Sequence, residues 1–222
     1  MKNYSTFDIL GPIMVGPSSS HTAGAARLGK MGRSIAAEEI KEVIFYLHGS
    51  FGATYKGHGT DKALVAGILG MEPHDSRLRE AFQIAEQQGL RFKFQLINIE
   101  NAHPNTVEMK MITISNRKVN VIGSSIGGGN IKITKINGLE LEFTGQYPTL
   151  ITKHVDKPGI IAKVTTILAA FNVNIAFMKV FRQTKGKMAS MIVETDQPIP
   201  QGLLDSILNT SEIEDAVIIN SV

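Results

Sequence analysis

The sequence predicts an α+β protein: an N-terminal α/β unit followed by a smaller unit of the order βαββαβ. Three observations predict it. Of the 222 residues, 43% are hydrophobic and 19% charged, the balance of a folded globular chain. Up to Gly89, apolar residues recur at helical spacing between glycine-rich loops, and beyond it the pattern is that of strands. From Thr149 a new, self-contained pattern begins, so a boundary is expected near Gln146 to Pro148, with domains at 1–146 and 148–222.

In the first unit, AGAARLGKMGRSIAAEEI places Ala25, Leu28, Met31 and Ile35 three and four apart, one apolar stripe on a helix whose start Thr22 or a neighbouring serine can cap. EVIFYLHGS is a β-rich run. FGATYKGHGTDKALVAGILG is a glycine-rich loop opening a second helix at Thr60 or Asp61, and SRLREAFQIAEQQG is a third helix closed by Gly89. Then follow the strands FKFQLIN, TVEMKMITIS, KVNVIGSSIG, NIKITKI and LELEFTG, with Asn137-Gly138 between the last two as a strong hairpin signal. In the second unit TLITKHV is a strand and PGIIAKVTTILAAF a helix with Ile161, Val164, Ile167 and Leu168 apolar. VNIAFMKVFR and KMASMIVET are strands, a helix starts near Pro200, and EDAVIIN closes the pattern. That order is the ferredoxin-like split βαβ.

Composition excludes several functions. The net charge is +3 and the lysines and arginines are scattered, so nucleic acid is not the expected partner; only the lysines from Lys179 to Lys187 argue for it. There is no cysteine, which excludes disulfides, a thiolate nucleophile and any iron–sulfur or zinc–thiolate site made by this chain alone. The segment MKNYSTFDILGPIMVG is interrupted by Asp8 and Pro12 and resembles no signal peptide, and no apolar run approaches the ~18 residues of a membrane span. A cytoplasmic protein without membrane contact is expected.

Three clusters would be odd as filler: GPSSSHT at 16–22, HGSFGATYKGHGTDKA at 48–63 and IGGGN at 126–130. Ser18, Ser19, Ser20 and Thr22 stand ahead of a helix, where hydroxyls, free backbone donors and the helix dipole favour a carboxylate; the same residues would also make a capped turn. Thr60, Asp61 and Lys62 repeat the loop-to-helix arrangement. Histidine suits a general base because its pKa lies near neutrality, and His58, between Gly57 and Gly59, is the first candidate and His21 the second. Each could equally be a hydrogen-bonded structural histidine. Gly127, Gly128 and Gly129 form neither a P-loop nor a dinucleotide fingerprint, and read as a tight turn approaching the same place. His103-Pro104-Asn105 reads as structural unless it lies near His58. His48 and His74 show no ligand spacing, so no metal is expected on this chain alone.

The stretch HVDKPGIIAKVTTILAAFNVNIAFM resembles an ACT domain, a regulatory module that binds amino acids between two copies. Pro158 fits a first helical turn and Gly159 allows close backbone approach at a helix N-terminus. The pattern is similar to the serine-sensing ACT domain of phosphoglycerate dehydrogenases, His-x-Asn-x-Pro-Gly with a later asparagine, here His154, Asp156, Pro158, Gly159 and Asn174 followed by Ile175. Asp156 departs from it: a carboxylate accepts from an ammonium group but has no amide to donate. An effector site at His154, Asp156, Gly159, Asn174 and Ile175 is implied by this resemblance, against the simpler reading of polar residues at a strand end.

The clusters GPSSSHT and GKGHGTDKA, with the ACT pattern, resemble the β chain of bacterial iron–sulfur-dependent L-serine dehydratases of the two-chain form. The first domain would then be the family's ASB domain. The resemblance implies a lyase subunit, active only with a cysteine-containing α chain that holds a 4Fe-4S cluster, and converting L-serine to pyruvate and ammonia. It implies catalytic roles for His58 and His21, substrate contacts from Ser18, Ser19, Ser20, Thr22, Thr60 and Asp61, L-serine as substrate and possible effector, and a homodimer through the ACT domains. An alternative from another class is a free-standing amino-acid-sensing regulatory protein.

Overall fold

A computed structural model describes residues 12–182 and 184–219. The chain divides into two compact units, 1–138 and 139–222, so the division falls ahead of the stretch Gln146 to Pro148. Each unit carries α and β structure, and the two sheets are separate.

In the first unit a π-helical turn, Ser19–Gly24, runs directly into α1 (Ala25–Ala36). After β1 (Ile40–His48) come α2 (Gly49–Thr54) and α3 (Thr60–Ile68), then a 3₁₀ turn (Ser76–Glu80), α4 (Ala81–Gln87), β2 (Arg91–Ile97), β3 (Thr106–Thr113), β4 (Lys118–Gly127) and β5 (Asn130–Ile136). Within this unit the sheet strands run in the order β2-β1-β3-β4-β5, with β1 and β2 parallel and the other pairs antiparallel. Alternation fixes the buried face. Val43, Phe45 and Leu47 of β1 and Val107, Met109 and Met111 of β3 are buried, and helices α1 and α3 pack on each other over them.

Small residues let those helices approach. A methyl group on Gly29 would stand 2.2 Å from the Leu64 carbonyl oxygen, and one on Gly67 would stand 2.1 Å from that of Ala26. Ala25, Leu28, Met31 and Ile35 are all buried, as the stripe predicted. A serine neighbouring Thr22, Ser18, caps the first turn: its hydroxyl accepts the His21 N–H while the Thr22 hydroxyl is used elsewhere. One expectation changes. The third helix opens as 3₁₀ before turning α at Ala81, with Asp75 accepting the Arg77 N–H at its start.

The second unit begins with β6 (Leu139–Phe143), after which β7 (Thr149–Val155), α5 (Ile160–Ala170), β8 (Ile175–Arg182), β9 (Met188–Thr195), α6 (Gln201–Leu208) and β10 (Ile213–Ile219) give the expected βαββαβ order. The sheet order β10-β7-β9-β8 is antiparallel throughout, so β7 and β8 are parallel with β9 threaded between them. Leu150, Ile160, Val164, Leu168, Met191, Val193, Leu203 and Ile207 form the core beneath α5 and α6. Val164 and Leu168 are buried and Ile167 packs against them as expected, and only the first member of the stripe differs: Ile160 is buried and Ile161 is 42% exposed, because 160, 164 and 168 recur four apart on one face. The helix starts at Ile160, with Gly159 in a left-handed conformation before it, so Pro158 lies outside the first turn. Asn220 of the last expected strand lies outside the described residues.

Candidate active site

The first unit gathers its polar clusters around the π-helical turn. A chain at Gly16 passes so close to Thr22 that an added methyl would stand 2.7 Å from both terminal atoms of the threonine side chain. Gly24 similarly lies against Ser125. Gly129 comes near as well: its carbonyl accepts a 2.9 Å hydrogen bond from Arg27 Nη1, which ties the Gly127–Gly129 turn to the start of α1. The π turn gives the backbone one more residue per turn than an α-helix, a form that recurs at functional sites.

His21 leaves this turn half-buried, with both ring nitrogens engaged: Nδ1 lies 3.3 Å from Ser18 Oγ and Nε2 lies 3.0 Å from Ser50 Oγ. The ring meets Phe51 edge-on with centroids 5.4 Å apart. It meets His58 at 4.9 Å, tilted by 36°. Burial, and then the charge of His58, hold the His21 pKa below the ordinary histidine value, while a hydrogen bond to the Ser50 backbone pulls the other way.

His58 is exposed and rides a loop pinned by backbone bonds, His58 N to the Thr54 carbonyl at 3.1 Å and Thr60 N to the Tyr55 carbonyl at 2.9 Å. The Thr22 hydroxyl donates to the His58 carbonyl at 3.4 Å, joining the two clusters. Gly59, left-handed at φ 69°, turns the chain into α3. Thr60 is fully buried and its hydroxyl has no hydrogen-bond partner among the described residues. Asp61 is buried too, accepting the Lys62 N–H at 2.8 Å; burial raises its pKa above the usual carboxylate value, opposed by the Lys62 hydrogen bond and by the charges of Lys62 and Lys56.

A cleft of ≈ 350 Å³ opens here, lined among others by Thr22, Lys56, His58, Asp61, Lys62 and Arg79. It offers an accessible imidazole, a carboxyl group held toward its neutral form and three cationic side chains. That set can move a proton beside an anionic ligand. Thus His58, Thr22 and Asp61 line one cleft, His21 and Ser18 stand behind it, and Thr60 is buried at the head of α3. Ser19 and Ser20 are half-buried in the turn without a side-chain hydrogen bond among those described. The sequence reading missed Ser50, Lys56 and Arg79; only the neighbourhood of Ser50 and Lys56 was flagged. His103 accepts the Asn105 N–H on an exposed loop, and His48 accepts the Ile99 N–H, so both are structural.

In the second unit His154 is 2% exposed, with Nδ1 3.2 Å from Thr152 Oγ1; burial lowers its pKa and Asp156 opposes this. Asp156 accepts the Gly186 N–H at 2.9 Å and Arg182 Nη1 at 3.2 Å, and these bonds keep its carboxyl below the usual range. Gly159, left-handed at φ 90°, faces open space. Asn174 Nδ2 donates to Asp196 at 2.5 Å. The register separates the set: His154 pairs with Ala189 and Ile213, whereas Ile175 pairs with Thr195, beside Thr149 at the other end of the sheet. One chain therefore brings His154, Asp156 and Gly159 together and leaves Asn174 and Ile175 at the opposite end.

Comparisons with known proteins agree with both halves. A family profile described as serine dehydratase beta chain matches residues 5–96, and one for the ACT domain matches residues 149–211. The chain is 46% identical over 209 residues to the probable L-serine dehydratase, beta chain, of Bacillus subtilis, covering 93% of this chain and 94% of that one. It belongs to the L-serine dehydratase β-chain family. A second member, the L-serine dehydratase beta chain of Peptoniphilus asaccharolyticus, is 42% identical over 97% of this chain and 98% of its own. The D-3-phosphoglycerate dehydrogenase of Synechocystis is 38% identical, but over only 42% of this chain and 17% of its own. Membership of the β-chain family over nearly the whole length favours a lyase subunit with an ACT domain over a free-standing sensor. No helix among the described residues is long and apolar enough to cross a membrane.

Proposed function

We infer that this chain is the β subunit of an L-serine dehydratase that turns L-serine into pyruvate and ammonia together with an α chain, in the cytoplasm. The observation that carries the reading is the cleft in which an exposed imidazole, His58, stands beside buried Asp61 and the hydroxyl-rich π turn. An imidazole nitrogen of His58 takes the Cα proton of serine. Thr22 and the cationic rim of Lys56, Lys62 and Arg79 hold the substrate carboxylate, Asp61 faces its ammonium or leaving group, and Ser18, Ser19, Ser20 and Thr60 shape the turn and helix start around it.

The chain contains no cysteine, and among the described residues no group of three or more potential ligands converges on a metal position. The residues of this chain therefore do not fit a resident iron–sulfur cluster, and the reading assigns a 4Fe-4S cluster to the cysteine-containing α chain. Co-expression with such an α chain under anaerobic conditions, followed by assay of pyruvate from L-serine, tests it. The purified β chain alone makes little or none. His58→Ala lowers kcat of the assembly by about 10²–10⁴-fold, the range for loss of a general base. Full turnover by the isolated chain would refute the reading.

The second unit is the effector site in the same reading. Two copies that pair antiparallel along their β8 edges bring Asn174 and Ile175 of one copy toward His154, Asp156 and Gly159 of the other. The edge is apolar enough to pair, with Phe177, Met178 and Val180 exposed by 55%, 40% and 39%. An amino acid such as L-serine, bound between the copies, would meet the left-handed Gly159 and the free N–H groups opening α5.

A further inference from the structure

His21 and His58 face each other, yet the structure does not treat them alike. His58 is exposed, and among the described residues only its backbone is hydrogen-bonded. Both ring nitrogens of His21 are held by hydroxyls. Ser18 Oγ accepts the His21 backbone N–H at 3.1 Å and, with a second lone pair and a rotating O–H, suits either role toward Nδ1. Ser50 is what favours one form: its Oγ lies 3.0 Å from Nε2, and the hydrogen bond between the ring and its backbone has a carbonyl that can only accept, which points to the proton of the neutral ring on Nε2.

Ser50 is itself fixed with care. It is the second residue of α2, its carbonyl accepts the Thr54 hydroxyl at 2.8 Å, and the next residue, Phe51, donates its N–H to the Pro104 carbonyl at 3.4 Å while its ring meets His21. The preceding residue, Gly49, packs on Pro104 so tightly that an added methyl would stand 2.6 Å from that same carbonyl oxygen. The loop of His103, Pro104 and Asn105 thus props the turn that carries Ser50.

Resting on the dehydratase reading, we propose that Ser50 is a positioning residue for the reaction: it locks His21 as the Nε2–H tautomer against His58, leaving His58 as the imidazole free to take the substrate proton. The lock matters electrostatically. A neutral His21 lets His58 accept a proton without facing a second positive ring 4.9 Å away. The other charged groups about the cleft, Lys56, Asp61, Lys62 and Arg79, lie on the His58 side of the pair.

Imidazole ¹⁵N NMR on the full-length chain reads the tautomer directly. In the wild type the His21 ring shows one protonated and one bare nitrogen with Nε2 carrying the hydrogen; in Ser50→Ala it moves to a mixture of tautomers, and Ser50→Thr restores the wild-type pattern. With the α chain present, Ser50→Ala lowers kcat about tenfold, the weight of one buried hydrogen bond, changes KM by less, shifts the acid limb of the rate–pH profile, and is rescued by Ser50→Thr. Unaltered His21 resonances in a folded Ser50→Ala chain overturn the inference. A wild-type assembly that makes no pyruvate overturns the dehydratase reading instead, while the spectra still decide whether Ser50 sets the tautomer.

Discussion

Both units place a left-handed glycine at the head of a helix beside a histidine, and then diverge. In the first, Gly59 opens α3 and the partners around His58 all come from one chain: Thr22 on its carbonyl, His21 against its ring, Asp61 one turn away. In the second, Gly159 opens α5 near Asp156, but Asn174, the residue that should complete the set, begins a strand at the far end of the sheet. The groups of the first set, held by one chain, are preorganised before the proposed α chain or a ligand arrives. If a second copy completes the other set, as proposed, ligand binding is tied to association, and that is what regulation needs.

The contrast can be broken in three places. The largest effect is expected at the helix contact that frames the first site. Gly67→Ala forces α1 and α3 apart, because the new methyl meets the Ala26 carbonyl, and should cost about 1–3 kcal/mol or more, seen as a lower Tm by calorimetry. An unchanged Tm would mean the frame yields easily and the first site is less preorganised than described. Next comes the proposed two-copy effector site. His154→Ala and Asn174→Ala should each weaken L-serine binding about tenfold, and co-refolding the two variants should recover a fraction of tight sites, since a hybrid dimer carries one intact set. If mixing recovers nothing, both residues do not serve one site across copies.

The smallest effect lies in the wall of the first cleft. Asp75 caps the 3₁₀ turn that carries Leu78 and Arg79, and its bonds to Arg77 hold its carboxyl at about 2, below the ordinary 3.8. A folded-state pKa depressed in this way adds stability above the unfolded value and loses it as pH falls through about 2. Asp75→Asn should therefore lower the denaturation midpoint slightly at neutral pH, with the gap from wild type closing toward pH 2. A gap that persists there would assign the effect to the shape of the cap and not to its charge.

Much of the fold was legible because periodicity and turn residues report local forces. Strands β4, β5 and β7 have the limits read from the sequence, and Asn137-Gly138 has both residues at positive φ, as a tight hairpin turn requires. What was misread depended on neighbours. In α5 the stripe holds at Val164, Ile167 and Leu168 and differs only at its first member, Ile160 in place of Ile161, while Pro158 and Gly159, read with the helix, stand before it. The site was legible in part: His21, His58 and Asp61 are chemically conspicuous. Ser50 was not, since a lone serine has no pattern, and only the fold carries it across 29 positions to His21.

The π turn from Ser19 to Gly24 has a corollary for the serine run that leads into it. Because a π turn takes up one residue more than an α turn, the number of residues between Pro17 and Ala25 is as constrained as their identity. Dropping one serine would let the helix wind regularly and swing every upstream side chain by about 100° about the axis, one residue's share of a turn.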